Sequence, residues 1–443
     1  MISITFVSFA EHEAIFYNSL IKQLVVRNKF IRFDQIIFND QVFKKYKNSM
    51  TNLISPFDIK LNLKNIKLNK KMIKYLIHDK TVYNLKNIEN KKKKLKENLI
   101  FFKNLISEKK KFKKIFFFQE ISGFSGSLSC FFSANKYGCA HYFIEPSFFN
   151  ERVFFLKNTF DLNIKNKRTK ISNKVKKIID KIKKNKKIIS TNHLLKRYNL
   201  PIKKILEIKI IFRFFNKILS KYFFQNNEEF NHPIRHAFKF LKMFLNHQFL
   251  LFIYDKIPQE KFIYFPLHVP EDFSLTIREP KYLNQLKLIE DVLKKIPKNI
   301  FFVTKEHPSM IGALSSIEIN RLVNKYKNFK IINPKINNYE LIEKSSVVLT
   351  INSKTGFEAL LLGKKVLTLG KSFYSELKSV LKIKKTDQLS KQLNFIEKKQ
   401  VKAEEVDNFC QSIWNASNSG ILYLNTKKNC LNFARSIEKI ITN

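Results

Sequence analysis

Two polar loops in the second half of the chain carry residue types that bind phosphate. Lys305-Glu306-His307-Pro308 follows the apolar run 300–303, and Asn352-Ser353-Lys354-Thr355-Gly356 follows the apolar run 346–351. A histidine can donate a hydrogen bond to a phosphate oxygen, and the proline fixes the backbone beyond it. Hydroxyls and free backbone N–H groups at the start of a helix favour a bound anion. The residues predicted to bind a phosphate-containing ligand are Lys305, His307, Pro308, Asn352, Ser353, Thr355, Gly356 and Glu358.

Each loop alone also has a purely structural interpretation. His307 can be an ordinary loop histidine, and the second loop can be a plain helix cap. The two loops together, each following a strand of the same sheet, favour a ligand. A third loop follows the apolar run 262–265, and we predict that its His268 and Glu271 orient the substrate.

Short apolar runs alternate with helical segments around these loops. The runs 262–265, 300–303, 346–351 and 366–370 are continuous, which is typical of buried parallel strands. The first half opens in the same way, with a predicted strand at 2–9 that turns directly into a helix. Ligands of open parallel sheets bind beyond the carboxyl ends of the strands, where the polar loops lie. The sequence therefore predicts an α/β protein with parallel sheets.

Composition divides the chain into four predicted parts. These are an N-terminal α/β domain at 1–162, a basic helical connector at 163–251, a second α/β domain at 252–385 that carries the polar loops, and C-terminal helices at 386–443 that pack back on the domains. The stretch 165–187 combines Lys and Arg with an amphipathic pattern, which indicates either a membrane surface or a solvated connector.

The net charge of +47 favours a polyanionic partner such as nucleic acid, anionic lipid or a phosphorylated substrate. The alternative is the coding bias of an AT-rich genome, since Lys, Asn, Ile and Phe are abundant. The four cysteines lack the spacing of a disulfide framework or a zinc site, and no secretory signal or long apolar span is evident. We predict a cytoplasmic protein, peripheral on the inner membrane if the basic segment binds lipid.

The loops and their spacing resemble the capsule polysaccharide biosynthesis family. The segments that carry the resemblance are 265–271, 305–308, 352–360 and 363–366, and the His-Pro and Ser/Thr loops are also similar to those of bacterial sialyltransferases. The resemblance implies a GT-B fold, in which two Rossmann-like domains face a cleft. It implies that His307, Pro308, Ser353 and Thr355 contact the nucleotide phosphate and that Glu358 binds the ribose. Lys354 departs from the small or hydroxylated residue that is usual in the family.

The resemblance further implies a glycosyltransferase in capsule, surface polysaccharide or glycolipid synthesis. Its donor would be a nucleotide sugar, with Kdo or another CMP-activated acidic sugar favoured, and its acceptor a glycan or lipid-linked glycan. No cofactor and no bound metal are expected. Glycosyl transfer needs a base or a carboxylate nucleophile, and the family fold supplies it from the N-terminal domain. Glu120 is the first candidate, followed by Glu145 and His12.

Two alternatives come from other classes of protein. The charge and the many aromatic residues suggest a nucleic-acid-binding protein, although the aromatics lie in apolar runs rather than on a basic strand face. A non-catalytic scaffold of a polysaccharide export complex would keep the same fold. We expect no nucleic-acid partner.

Overall fold

The computed structural model describes residues 1–57, 66–167, 169–185, 208–230 and 232–442. It divides into two compact units. The first unit contains 1–161, 211–236 and 417–443, and the second contains 162–210 and 237–416. The predicted connector at 163–251 is thus shared between the units, and so are the C-terminal helices.

The first unit is built on a seven-stranded sheet with the order β13-β6-β5-β4-β1-β2-β3. Strands β1 to β5 are parallel, while β6 and β13 run antiparallel to their neighbours. The strands of this sheet are β1 (Ile2–Ser8), β2 (Ile31–Ile37), β3 (Leu53–Ile54), β4 (Lys114–Glu120), β5 (Ala140–Pro146), β6 (Arg152–Lys157) and β13 (Asn418–Ser419).

Alternating side chains of this sheet enter two separate cores. Phe6 and Phe118 face one core, and Val7 and Phe117 face the other. The first core is completed by α1 and the C-terminal helix α16, and the second by α5 and α6. The helices of this unit are α1 (Glu11–Arg27), α2 (Asp40–Tyr46), α3 (Lys70–Tyr75), α4 (Ile77–Val82), α5 (Glu89–Glu108), α6 (Ser125–Lys136) and α16 (Lys427–Thr442).

The second unit has a six-stranded sheet with the order β12-β11-β10-β7-β8-β9, and all its strands are parallel. Its strands are β7 (Phe262–Pro266), β8 (Phe301–Lys305), β9 (Phe329–Ile332), β10 (Val347–Thr350), β11 (Lys365–Thr368) and β12 (Val380–Lys382). All four apolar runs predicted as strands in this half are strands. They read as continuous runs because helices cover both faces of the sheet.

The remaining helices follow from the amphipathic segments of the middle and the C-terminal part. They are α7 (Asn173–Asn185), α8 (Ile208–Tyr222), α9 (Pro233–Leu250), α10 (Gln285–Leu293), α11 (Ser316–Lys325), α12 (Asn338–Lys344), α13 (Lys354–Leu361), α14 (Leu389–Glu397) and α15 (Ala403–Ala416). The sequence also predicts a helix that begins at residue 202, and its residues 202–207 lie outside the described residues.

The prediction of an α/β protein with two Rossmann-like sheets is confirmed. In each sheet the first strand lies inside, the next two extend to one side, and the fourth returns to the other side of the first. This is the strand order of a dinucleotide-binding fold. The cleft between the domains stays a prediction.

The basic middle of the chain differs from the amphipathic surface that its sequence suggested. Val175, Ile179 and Ile182 of α7 are buried, and Lys174 lies over the Trp414 ring of α15 at 5.2 Å. This apolar stripe therefore packs against protein rather than facing a membrane. In the part of the chain that is described, no helix is long and apolar enough to cross a bilayer.

Candidate functional site

Three loops converge at one edge of the second sheet. Strand β7 lies between β8 and β10, and all three are parallel, so the loops that follow them emerge side by side. The chain leaves β7 toward β8 and β9, then returns to β10 on the other side. This reversal creates the crevice in which doubly wound sheets bind ligands. The predicted residues after β7, β8 and β10 are therefore brought to a common edge.

The loop after β8 is held from beneath by Glu306. Its carboxylate is buried and accepts hydrogen bonds from the Tyr254 hydroxyl at 3.0 Å and the Gly312 N–H at 3.0 Å. Gly312 has φ +78°, and a Cβ there would lie 2.0 Å from the Met243 carbonyl oxygen. Burial raises the pKa of Glu306 to about 7. Glu306 was predicted only as a polar residue of this loop, but its two hydrogen bonds hold the loop in place.

His307 is prepared as a neutral hydrogen-bond donor. Its Nδ1 accepts from the Ser309 N–H at 3.2 Å and lies 2.6 Å from the Ser309 hydroxyl. With Nδ1 accepting, the proton of the neutral ring sits on Nε2. Burial lowers the pKa of His307, and the positive charge of Lys305 adds to this effect. The ring can therefore donate to a phosphate oxygen without being ionised.

His268 lies in the loop after β7, close enough to His307 for the two rings to interact electrostatically. The Gln285 side chain holds its backbone on both sides, accepting from the His268 N–H at 2.8 Å and donating to its carbonyl at 3.0 Å. Burial lowers the pKa of His268 to about 4, so this ring is also neutral near pH 7. Among the described residues no hydrogen-bond partner reaches its buried Nε2.

The loop after β10 forms the N-terminus of α13. Ser353 is the N-cap, and its hydroxyl accepts from the Thr355 N–H at 3.2 Å. The Asn352 side chain donates to the Ser274 carbonyl at 2.9 Å, which ties this loop to the segment after β7. A Cβ on Gly356 would lie 2.2 Å from the Tyr374 hydroxyl oxygen, so only glycine fits there. The loop presents hydroxyls and amides at the positive end of a helix.

Glu358 lies in the middle of α13 and takes part in a network of polar side chains. Its Oε2 accepts from the Asn338 amide at 3.0 Å, and the same amide lies 3.4 Å from the Thr355 hydroxyl. Asn338 in turn accepts from the Tyr264 hydroxyl at 2.6 Å. Burial raises the pKa of Glu358 to about 7, against the opposing effects of Asn338, Lys354 and Lys305. The carboxyl group therefore exchanges its proton near neutral pH.

Lys305 lies beneath the same edge. Its ammonium donates to the Ile336 carbonyl at 2.7 Å, and burial lowers its pKa to about 8. The nearby Glu358 charge opposes this shift, which places the last residue of β8 near α13. The two polar loops thus share an electrostatic environment.

Other residues of these loops are exposed or have a structural partner. Glu271 forms an ion pair with Lys239 of α9, which gives its carboxylate a structural partner. Pro308 is exposed beside His307, and Lys354 is exposed at the start of α13. Asn338 and Gln285 were not predicted as site residues. Both are near helix starts, where Asn and Gln are unremarkable, so only the fold reveals their partners.

The two candidate catalytic carboxylates lie in the first unit, and they are not brought together. Glu120 ends β4 and Glu145 lies in β5, where Glu120 pairs in register with Ile144 rather than with Glu145. Successive residues of a strand face opposite sides of the sheet, so the two carboxylates project to opposite faces. A joint acid–base pair of these two residues is excluded by that geometry.

Glu120 instead has partners that no local motif indicated. Its Oε2 accepts a short hydrogen bond from the Tyr423 hydroxyl, which comes from the segment before α16. The ring of His12 meets the Tyr423 ring edge-on at 4.8 Å between centroids. Burial, with the charges of Glu120 and Glu13, raises the pKa of Tyr423, so the phenol stays a donor. Glu120 and His12, both predicted candidates, are therefore gathered around Tyr423 at the switch point of the first sheet.

The fold and the site define a two-sheet α/β protein in which three polar loops lie at one edge of the second sheet. Residues 206–391 match the model of the family described as capsule polysaccharide biosynthesis protein. The resemblance found in the sequence is thereby confirmed over the segment that carries all three loops.

Individual similar proteins are more distant. Protein FixF of Sinorhizobium fredii is 36% identical over 120 residues, which is 26% of this chain and 27% of that protein. The chain thus spans about a quarter of the length of that relative. The structure of the Thermosulfurimonas dismutans KpsC beta Kdo 2,7 transferase is 15% identical with a TM-score of 0.37, covering 85% of this chain and 98% of that one. The UDP-GlcNAc 2-epimerase of Neisseria meningitidis is 15% identical with a TM-score of 0.27, with both chains fully covered.

Proposed function

We propose that this protein is a glycosyltransferase of capsule or surface polysaccharide synthesis that takes its sugar from a nucleotide donor. The observation that carries the proposal is the convergence of three loops at the switch point of the second sheet, within a segment of the capsule family. Those loops offer a neutral histidine donor, a helix N-terminus with two hydroxyls, and a buried carboxyl group. This set suits a phosphate joined to a ribose.

The roles of the residues follow from the chemistry they offer. His307 donates from Nε2 to a phosphate oxygen, and Ser353 and Thr355 bind the same phosphate at the start of α13. Glu358 accepts from a ribose hydroxyl. His268, whose buried Nε2 has no hydrogen-bond partner among the described residues, orients the sugar or the acceptor. A CMP-activated acidic sugar is the favoured donor, and a glycan or lipid-linked glycan is the acceptor.

Glu120 is the proposed base or nucleophile. It ends β4 at the carboxyl edge of the first sheet, where ligands of open parallel sheets bind, and its carboxylate accepts a hydrogen bond from Tyr423. Glu145 is the second candidate and faces the other side of the sheet.

The test of the donor site is calorimetric titration with CMP and with UDP, followed by turnover of the nucleotide sugar that binds. A ligand at about 100 times its dissociation constant adds about 2.7 kcal/mol of stability, which a thermal-shift screen detects. Binding with turnover supports a transferase. Binding without turnover of any nucleotide sugar supports the scaffold alternative, and binding of a short single-stranded nucleic acid in preference to nucleotides contradicts both.

A further inference from the structure

A basic cavity of about 480 Å³ lies in the first unit, on elements other than those that carry Glu120. It is formed by the start of α5 with the loop before it, the end of α8 and the start of α9. Its charged lining consists of Lys86, Lys91, Lys94, Lys221 and Arg235, with His232 beside them. No carboxylate is among its lining residues. Cavities of this size hold an organic ligand rather than a single small ion.

Two of the lysines are held in place by buried carboxylates behind the cavity wall. Lys91 lies 3.3 Å from Asp79, and Lys94 lies 3.0 Å from Glu229. Asp79 and Glu229 are fully buried. The Tyr83 ring lies 4.5 Å from the Lys91 ammonium, and its hydroxyl donates to the Glu229 carbonyl at 3.2 Å. No carboxylate lines the cavity itself, so its lining carries a positive charge.

Two further features agree with a positive potential. Burial lowers the pKa of His232 to about 3, and the charges of Lys91, Lys221, Arg235 and Lys94 all act in the same direction. Asn90 lies in the first turn of α5, a helix of 20 residues whose N-cap, Ile88, offers no side-chain hydrogen bond. The positive end of that helix therefore adds to the field of the lysines.

The cavity borders exposed apolar side chains. Lys221 is followed directly by Tyr222, Phe223 and Phe224, which are 51%, 75% and 69% exposed. On α8 itself an apolar stripe is also exposed, consisting of Ile208, Ile211, Phe212, Phe215 and Leu219. No Asp or Glu occurs between residues 208 and 224, while Lys209, Arg213, Lys217 and Lys221 recur at every fourth position. A basic helix with exposed aromatics beside it is typical of proteins that enter a lipid interface.

We propose that the first unit binds the phosphate headgroup of an anionic membrane lipid in this cavity, with Phe223, Phe224 and the α8 stripe inserted among the neighbouring acyl chains. Charge complementarity selects the occupant, because the cavity and the exposed stripe together match an anionic group joined to a hydrocarbon chain. The site uses none of the residues assigned to the donor or to catalysis. The proposal therefore stands whether or not the chain is a transferase.

The matched variants keep the buried ion pairs intact. Lys86→Gln with Arg235→Gln removes two exposed charges from the cavity. Lys93→Gln with Lys103→Gln removes the same charge from exposed positions of α5 that do not line the cavity. Phe223→Ser with Phe224→Ser removes the apolar contact without any change in charge.

The experiment measures sedimentation of the full chain with vesicles of phosphatidylcholine alone or mixed with phosphatidylglycerol, near 0.15 M salt. We expect binding to the mixed vesicles only, and a loss of about tenfold or more for both the cavity pair and the aromatic pair. The control pair stays within about threefold of the wild type. Equal losses in the cavity and control pairs would show diffuse charge and overturn the proposal, as would a wild type that ignores mixed vesicles. Titration with inorganic pyrophosphate is the second arm. Tight binding that the cavity pair abolishes, without vesicle binding, would replace the lipid by a soluble phosphate compound.

Discussion

His307 offers the most direct test of the phosphate site, because its partners fix one tautomer. Changing His307 to Ala removes the Nε2–H donor, and a lost hydrogen bond to a charged phosphate costs about 1.5–3 kcal/mol. We expect nucleotide affinity to fall about ten- to hundredfold in calorimetric titration, with the thermal midpoint nearly unchanged. Lys354→Ala, at an exposed position of the same edge, is the control and should have a smaller effect. An unaltered affinity in folded His307→Ala protein would remove this residue from the site.

Glu120 should separate binding from turnover. Glu120→Gln keeps the shape of the side chain and an acceptor for the Tyr423 hydroxyl, but it removes the base or nucleophile. Donor affinity should stay close to that of the wild type while product formation is lost, as expected for a group used only in the transition state. Glu145→Gln, on the opposite face of the sheet, is the matched comparison. If Glu145→Gln loses turnover and Glu120→Gln does not, the catalytic role passes to Glu145.

Glu358 should make stability depend on pH in a defined direction. Burial raises its pKa from 4.5 to about 7, so between these values the folded protein binds more protons than the unfolded chain. The contribution of this carboxyl group to stability is therefore full below pH 4.5 and is lost as the pH rises through 7. Glu358→Gln does not titrate, so it should gain stability relative to the wild type across that window, by at most about 3 kcal/mol.

Urea unfolding at a series of pH values measures this difference. Glu340→Gln, on the neighbouring α12 and largely exposed, is the control and should show no comparable trend. A difference between Glu358→Gln and the wild type that is independent of pH would contradict the assignment.

At the scale of elements, the loop after β8 depends on a glycine. Gly312→Ala forces a left-handed φ on alanine and drives its Cβ into the Met243 carbonyl, whereas Gly363→Ala, with φ +71°, has open space around it. We expect Gly363→Ala to cost about 1–2 kcal/mol from the backbone alone. Gly312→Ala should cost at least about 1 kcal/mol more and should also weaken nucleotide binding, since the loop carries His307. If Gly312→Ala and Gly363→Ala lose the same free energy of unfolding, the contact between position 312 and Met243 of α9 is unimportant.

The sequence was sufficient for the elements that carry the site. Continuous runs such as 262–265 and 346–351 could be assigned to parallel strands because burial on both faces removes the alternation of polar residues. The helix cap at Ser353 was also predictable, since a hydroxyl is favoured at a helix start. Element type and loop position thus follow from local chemistry.

Contacts over long sequence distances could not be predicted in the same way. Tyr423 lies 303 residues from Glu120, and no local pattern marks either as the partner of the other. The same applies to the buried Glu229, whose partner Lys94 lies far away in the sequence. The stripe of α7 had two interpretations for a related reason. An amphipathic pattern shows that a helix has an apolar face, but it does not show whether protein or lipid covers that face.

At the scale of the whole molecule, the lysines that contribute to the net charge of +47 have different surroundings. Some lysines form ordinary exposed ion pairs, such as Lys344 with Glu340, which contribute little to stability. Others converge on the basic cavity, where buried carboxylates position them. Coding bias explains an abundance of lysine, but it does not explain why a cluster of them is placed around a cavity beside exposed aromatics. This distinction is what the vesicle experiment measures.

The division of the first unit among three stretches of chain has a consequence for how the protein is made. Phe16 of α1 packs against Phe433 of α16, and β13 forms the edge of the first sheet. As the chain leaves the ribosome, residues 1–161 emerge first but lack both the insert at 211–236 and the closing segment at 417–443. The second unit has all its residues once Ala416 has been synthesised, before the first unit is complete. The first unit should therefore acquire its native core after the second, and its aromatic interior must remain protected until residues 417–443 have been synthesised.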